Sequence, residues 1–330
     1  MKPLTKAFHR LNWTLTFLAS HQPESLGGQA VIEGVLMRSP RRLAIAVRAP
    51  DGSIVLDNQA FLSYSRRHKI LGLPILRGAV SLIESLSIGI KALNFSMSVQ
   101  EKASPEAEAP ATMGKSGKWD KLGIGFSLLV SFLLAMAVFQ LLPYFVAGHL
   151  IGGTKDNPSN PVFFNLLAGT VRVSLLLLYM WSISHIKDIG RVFQYHGAEH
   201  KSIFAHERTG SIDVASAGQQ SRFHPRCGTS FILIVAMVCI AFFSVFDGLI
   251  WQVWHYTYPT ALHRFVIHLP FIPLVAGLSF EVLKLTARFQ DSLWVRPLVL
   301  PGLWLQKITT QEPDEKQLEV AIASIRAALV

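Results

Sequence analysis

Residues His196 to His200 read His-Gly-Ala-Glu-His, which places two imidazoles four residues apart with a carboxylate between them. On a helix, residues i and i+4 lie on one face, so His196 and His200 can bind one metal ion while Glu199 stands beside it. The order His-x-x-Glu-His is that of inverted zinc peptidases, whose glutamate takes a proton from metal-activated water. The pattern predicts two metal ligands and a catalytic base. The alternative is a solvated polar face on an interfacial helix.

A second pair of donors, His224 and Cys227, precedes the next apolar stretch. Histidine and cysteine together favour Zn²⁺ over Mg²⁺ or Ca²⁺. Four protein ligands would make a zinc ion structural, whereas an open coordination position would make it catalytic. The alternative is that His224 and Pro225 begin a helix and Cys227 packs as a small apolar residue. His206 and Glu207 are further candidate ligands.

Glu33 lies within Gly27–Arg38, an apolar stretch with glycines near both ends that we interpret as a strand. An unpaired carboxylate there would be costly, so Glu33 needs a metal ion, an arginine or backbone donors as its partner. Glu33 is therefore a second candidate for the base, with a structural ion pair as the alternative. The glycines do not form a phosphate loop, because no Gly-Lys-Ser/Thr follows them.

The composition is that of a membrane protein. Half of the 330 residues are hydrophobic, which is too many for an ordinary soluble protein with this charge content. Two cysteines cannot make a disulfide framework. The net charge of +10 does not indicate nucleic acid, because the basic residues avoid the apolar stretches and concentrate in alternate loops. The expected partner is the lipid bilayer, and a membrane-protein partner is a second candidate.

Four apolar stretches are each close to the roughly 20 residues that cross a bilayer: 122–147, 162–184, 228–250 and 265–286. Lysine and arginine are frequent before the first stretch, in loop 185–226 and in the C-terminal tail, and they are rare in the two other loops. By the positive-inside rule, both termini and loop 185–226 lie in the cytoplasm.

The predicted organisation also includes segments outside the membrane. Pro50-Asp51-Gly52 is a turn signal that predicts a β-hairpin. The predicted parts are an N-terminal extension with an interfacial helix (1–25), a small β-rich domain (26–65), an amphipathic helix (66–99), a flexible linker (100–119), the membrane domain (120–290) and a C-terminal segment ending in a helix over Pro313–Leu329 (291–330).

Arg172 lies midway along the second apolar stretch, where a charge is expensive. It marks either a polar cavity or transport route, or a structural contact. Asp247 and Glu281 are the acids expected to pair with it. The histidines of the outer face are irregularly spaced and are interpreted as scattered interfacial residues: His255, His263 and His268.

The chain resembles the YqhQ-like family of bacterial membrane proteins in three long motifs, Gly-Gly-Gln-Ala-Val-Ile-Glu-Gly-Val from Gly27, Tyr-His-Gly-Ala-Glu-His-Lys from Tyr195 and His-Pro-Arg-Cys-Gly-Thr-Ser-Phe from His224. The likeness extends over Leu73–Asn94 and Pro301–Leu329. That family is labelled as predicted metal-dependent enzymes, so the resemblance implies a bacterial membrane location and a bound metal. The motif positions that correspond are Glu33, His196, Glu199, His200, His224 and Cys227.

These observations predict an α-helical polytopic protein of the bacterial cytoplasmic membrane, with about four transmembrane helices, a small cytosolic β-containing N-terminal domain and amphipathic helices. The favoured function is a metal-dependent hydrolase of unnamed substrate. Its residues would be His196 and His200 as zinc ligands, Cys227 or His224 completing the site, and Glu199 or Glu33 as the base. The alternatives are a non-enzymatic membrane scaffold or assembly factor with structural zinc, and a transporter that uses Arg172.

Overall fold

A computed structural model describes residues 26–102, 126–127, 130–131, 133–135, 137–151, 161–225, 227–289, 292 and 295–330. The predicted extension 1–25 lies outside these residues, as does the predicted linker beyond Lys102. The helices are, in chain order, α1 (Tyr64–Arg67), α2 (Leu76–Lys102), α3 (Leu142–Ile151), α4 (Pro161–Ile183), α5 (Lys187–Thr209), α6 (Val214–Gly218), α7 (Gly228–Trp254), α8 (Ala261–His268), α9 (Ile272–Arg288), α10 (Arg296–Thr309) and α11 (Glu315–Leu329).

The N-terminal β-structure is a four-stranded antiparallel sheet in the order β1-β2-β3-β4. Its strands are β1 (Gly27–Val31), β2 (Gly34–Arg38), β3 (Arg42–Arg48) and β4 (Ile54–Ala60). The hairpin predicted at Pro50-Asp51-Gly52 is confirmed, with Gly52 at a φ of +88° in the turn. Glu33, however, does not lie within a strand. It occupies the two-residue turn between β1 and β2, in the left-handed region at a φ of +50°.

The sheet is covered on both faces, and successive buried side chains of β2 and β3 point to opposite faces. Leu36, Ile45 and Val47 face α2, where Ile88 and Ala92 pack against them. The opposite face packs against α5 and α11, in a core formed by Val35, Met37, Ala44, Ala46, Tyr195, Ala198, Leu318, Ala321, Ile322 and Ile325. The sheet therefore holds α5, the helix of the His-Gly-Ala-Glu-His motif, in a fixed position.

The C-terminal helix α11 begins with a capping box. The Asp314 carboxylate accepts from the Gln317 backbone N–H at 2.7 Å, and the Gln317 side chain accepts from the Asp314 N–H at 2.9 Å. These two bonds satisfy backbone donors that a helix start leaves unpaired. The helix begins at Glu315, two residues after the predicted start at Pro313, which precedes the cap. Its apolar stripe, formed by Leu318, Ala321, Ile322, Ile325 and Leu329, packs on the sheet and on α5.

Four helical segments are long and apolar enough to cross a membrane: Leu133–Ile151, Pro161–Ile183, Gly228–Trp254 and Leu262–Thr286. They overlap the four stretches predicted from the sequence. The last segment consists of α8 and α9, which are connected by a short 3₁₀ helix at Leu269–Phe271. The predicted helical majority, the small N-terminal sheet and four helices apolar enough to cross a membrane are confirmed.

Asp247 does not pair with Arg172, contrary to expectation. Its carboxylate accepts from Tyr258 at 2.6 Å, from Asn165 at 2.8 Å and from His268 at 2.8 Å. Arg264 lies 3.5 Å from the same carboxylate. His268 is therefore a buried member of a polar cluster between the apolar helices rather than a scattered interfacial residue. These contacts satisfy a carboxylate that would be costly to bury alone.

Glu281 also has another partner, at the junction where α2 meets α9. The Arg77 guanidinium binds the Glu281 carboxylate with two hydrogen bonds, one of them 2.7 Å long, and the Ile75 N–H donates to it at 3.3 Å. Ile75 has a φ of +71°, which is strained for a β-branched residue. The backbone carbonyl of Ile75 lies only 2.3 Å from where a Cβ would stand on Gly277. The two helices meet this closely because Gly277 has no side chain.

Gly277→Ala should therefore destabilise the protein by about 1–3 kcal/mol, because the added methyl group must push α2 away from α9. The measurement is the midpoint of thermal unfolding in detergent. Gly218→Ala is the matched control, since its Cβ would meet nothing closer than Leu318 at 3.9 Å. Equal midpoints for the two variants would contradict this close packing.

Candidate metal centre

Three of the predicted donors meet in space. The ligating atoms of His196, His200 and Cys227 all lie within 4.8 Å of one another, and His196 Nε2 is 3.1 Å from Cys227 Sγ. A tetrahedral zinc ion with ordinary bond lengths would hold a nitrogen and a sulfur ligand about 3.6 Å apart. The three side chains can therefore bind one metal ion after a small increase in the distance between His196 Nε2 and Cys227 Sγ. His196 and His200 come from α5, and Cys227 comes from the start of α7.

Both imidazoles are oriented by backbone carbonyls. His196 Nδ1 lies 2.8 Å from the Thr309 carbonyl, and His200 Nδ1 lies 2.5 Å from the Arg222 carbonyl. Because a carbonyl only accepts, each Nδ1 carries a proton, and in the neutral imidazole Nε2 is then the nitrogen with the free lone pair. Histidines that bind metals are typically held in this way. His200 Nε2 is buried and has no hydrogen-bond partner among the described residues, which is costly unless a ligand binds there.

Cys227 is the N-cap of α7. Its sulfur accepts from the Thr229 backbone N–H at 3.4 Å and lies 3.1 Å from the Thr229 hydroxyl. The first turn of a helix carries unpaired N–H groups and a partial positive charge. The thiolate is the form of cysteine that binds metals. The interpretation of Cys227 as a small apolar residue misses these contacts.

Glu199 is buried beside the three donors. Its carboxylate lies 3.9 Å from His196 Nε2. Burial raises the pKa of Glu199 to about 7, although the charge of His196 and the Gly28 backbone N–H act in the opposite direction. A Cβ on Gly28 would stand 2.6 Å from Glu199 Cγ, so β1 can pass this close to α5 only at a glycine.

His224 lies outside the group of three. Its Nε2 is 3.6 Å from the Glu207 carboxylate, and its ring packs on Phe204 with centroids 4.4 Å apart. The backbone of His224 is held on both sides by Gln306, whose side-chain oxygen accepts from the N–H and whose amide donates to the carbonyl, each at 2.7 Å. Glu207 is thus placed beside His224, and His206 is likewise absent from the metal-ligating group.

Glu33 forms an ion pair with Arg191. Both of its carboxylate oxygens accept from the guanidinium at 2.5 Å, and the Tyr195 hydroxyl donates to it at 3.1 Å. Burial acts to raise the pKa of Glu33, but the hydrogen bonds and charge of Arg191 outweigh it and lower the pKa. Of the partners that the sequence left open for Glu33, the structure therefore provides an arginine.

The connection between α10 and α11 (residues 310–314) lies across α5. The Gln311 N–H donates to the Phe193 carbonyl at 2.9 Å. Glu312 forms ion pairs with Lys201 and Arg222. A Cβ on Gly197 would stand 2.1 Å from the Gln311 carbonyl oxygen, so this backbone reaches α5 only because residue 197 is glycine. The same approach brings the Thr309 carbonyl to His196.

Residues 73–330 match the model of a family described as "protein of unknown function (DUF1385)". The chain belongs to this family. It is also 37% identical over 317 residues to "Uncharacterized protein YqhQ" of Bacillus subtilis strain 168, covering 93% of each chain. No solved structure matches it. The family match includes the three donors and Glu199, whereas Gly28 of β1 and Glu33 of the following turn precede it.

In this member of the DUF1385 family, sequence reasoning missed the groups that orient the donors. The sequence does not indicate which backbone carbonyls orient the histidines, here those of Thr309 and Arg222, because every residue has a carbonyl. Arg191 and Tyr195, which hold Glu33, lie on the same helix as the histidines and gave no distinct pattern. Gly28 and Gly197 were visible inside long motifs, but only the structure shows which backbone or side chain approaches them.

Gly197→Ala should weaken metal binding by about 10–100-fold, because the methyl group displaces Gln311 and with it the Thr309 carbonyl that orients His196. The measurement is zinc retained against a competing chelator. Gly190→Ala is the matched control on α5, since its Cβ would stand 3.6 Å from the same Gln311, an ordinary contact. Equal zinc affinity in the two variants would show that this orientation does not matter.

Proposed function

We propose that this chain is a zinc-dependent hydrolase of the cytoplasmic membrane, with its active site on the cytosolic face. The observation that carries the proposal is the oriented donor set. His196 and His200 turn their Nε2 atoms towards Cys227 because backbone carbonyls hold each Nδ1. A buried carboxylate, that of Glu199, lies beside them.

The number of ligands favours catalysis over a structural role. Catalytic zinc sites generally use three protein ligands and keep one position for water or substrate, whereas structural sites use four. His196, His200 and Cys227 make three, and His224 faces Glu207 instead. Glu199 contacts His196 at 3.9 Å but does not share the close spacing of all three donors, so we assign it to a molecule bound there rather than to the ligands.

The zinc ion and the residues around it would have different roles in the reaction. Zinc bound here would supply Lewis acidity to a substrate oxygen and make water a better nucleophile. Glu199 would accept the proton from the attacking water and return it to the leaving group, in the role of a general base and acid. Gly28 fixes that carboxylate through its backbone N–H. Glu33 belongs to the supporting structure, because Arg191 and Tyr195 occupy its carboxylate.

The location rests on the spans and the loop charges. Cys227 ends the loop that precedes the apolar helix Gly228–Trp254. The donors therefore lie at one end of a membrane-crossing helix, in the loop region that is rich in lysine and arginine. The positive-inside rule assigns that side to the cytoplasm, together with both termini.

Arg172 supports a transporter less well than the donor set supports an enzyme. Its Nε donates to the Phe139 carbonyl at 2.9 Å, and its guanidinium lies over the Tyr144 ring. Asp247 and Glu281 were the acids predicted to pair with Arg172. Within the described part of the chain they form ion pairs with Arg264 and Arg77 instead. These contacts are those of a structural arginine.

The purified protein should bind about one zinc ion per chain, and His200→Ala should lose most of it. Glu199→Gln should keep the zinc but lose hydrolytic activity, because a base and not a ligand has been removed. His224→Gln should keep the zinc, since His224 is outside the ligand group. Metal content is measured on folded protein, with the exposed His185→Ala as the control.

A cobalt-substituted sample distinguishes the enzyme from the scaffold without a known substrate. Added azide should change the visible spectrum of the wild type, because an open coordination position can bind it. A spectrum that does not respond, together with zinc loss in His224→Gln, would establish a closed structural site. Normal zinc content in both His196→Ala and His200→Ala would refute the site altogether.

Reporter fusions check the proposed orientation. A topology reporter fused after Asn157 or after Tyr258 should report outside, and one fused after Gly210 should report inside, because the loop charges require this alternation. The control is the same set of fusions with the opposite-compartment reporter. A cytoplasmic signal from the fusions at both Asn157 and Tyr258 would contradict the map.

A further inference from the structure

Helix α2 carries a second apolar face, opposite the one that packs on the sheet. Its large side chains are exposed in the part of the chain that the structure describes, and they form one stripe along the helix: Leu76, Ile83, Leu86, Ile90, Leu93 and Met97. Ile83 and Ile90 are 68% and 60% exposed, so packing among the described residues covers neither. A continuous stripe of this kind marks an interaction surface rather than scattered apolar residues.

The spacing of the stripe is that of a coiled coil. From Ile83 onwards its members alternate between steps of three and four residues, the a and d positions of a heptad. Isoleucine occupies a at residues 83 and 90, and leucine occupies d at Leu86 and Leu93. Isoleucine at a with leucine at d favours parallel two-stranded coiled coils. The partner that this pattern fits best is a second copy of the same helix.

A lipid surface fits the stripe less well. Helices that lie on anionic membranes are rich in lysine and arginine beside their apolar face. Between residues 83 and 97, α2 has one basic residue, Lys91. Ser87 and Asn94 border the stripe and are uncharged, so two stripes can approach without repulsion. The opposite face of the same turns packs on the sheet through Ile88 and Ala92.

We propose that two copies of this chain associate through a parallel zipper of their α2 helices. Helix α2 begins against the membrane-crossing helix α9 and ends on the sheet, so it leads from the spans into the sheet-containing part of the protein. Two copies in one membrane have the same orientation, and a two-fold axis along the membrane normal then makes such helices parallel. The stripe from Leu76 to Met97 is only about 32 Å long, but confinement to one membrane raises the effective concentration of the partner.

Disulfide cross-linking in native membranes tests the zipper. In a parallel coiled coil, an a position faces the same position of its partner, so Ile90→Cys should give a disulfide-linked dimer on mild oxidation. Lys91→Cys, one residue further and also exposed, should give only the background that Cys227 and Cys239 produce in the wild type. Dimer formation at 90 but not at 91 supports the proposal.

A mass measurement provides an independent readout. Ile83→Asn combined with Ile90→Asn should halve the protein mass of the particle in detergent, whereas Leu62→Asn, an exposed leucine outside the stripe, should leave it unchanged. Three results overturn the proposal: equal cross-linking at 90 and 91, no cross-linking at either in folded protein, or a double variant of undiminished mass. If the thiol of the Ile90→Cys variant is shielded from water-soluble reagents but forms no disulfide, the stripe is assigned to lipid instead.

Discussion

Helix α5 has buried polar side chains, and two backbone segments come close enough to give them hydrogen-bond partners. Each segment makes its closest approach at a glycine, where a side chain would not fit. On one side, β1 passes over Glu199 at Gly28. On the other, the connection between α10 and α11 touches the helix at Gly197. Both approaches deliver backbone polar groups to side chains that would otherwise be buried without partners, which is expensive. The sheet holds β1 in place, and the capped helix α11, packed on the sheet and on α5, holds the end of the connection.

The donor set depends on the assembly of distant parts of the chain. His196 and His200 share a helix, but Cys227 caps the next apolar helix and the Thr309 carbonyl comes from the end of α10. Gln306 joins these parts, because its amide donates both to the His224 carbonyl and to the Ser230 hydroxyl. A donor group of this kind forms only when the apolar helices and the sheet have docked, so a metal ion bound there would also stabilise the tertiary fold.

The acidic residues of the apolar helices, Asp247 and Glu281, each have polar partners, because an unpaired charge would be costly to bury there. The carboxylate of Asp247 is satisfied by a cluster that joins α4, α7 and α8, and the carboxylate of Glu281 ties α2 to α9. Each pairing connects separate elements rather than neighbours in sequence. Charges in such surroundings fix the relative positions of helices, because breaking a pair leaves an uncompensated buried charge.

The sequence alone determined the elements whose signals are local. Hydrophobic periodicity marked the apolar helices and the stripe of α11, a turn signal marked the β3–β4 hairpin, and the spacing of His196, Glu199 and His200 placed them on one helical face. It did not decide that Cys227 joins the histidines while His224 faces Glu207, nor that Arg191 pairs with Glu33 and Arg77 with Glu281. Those choices depend on which elements pack together and on backbone carbonyls, which look identical at every residue until the tertiary structure brings two segments into contact.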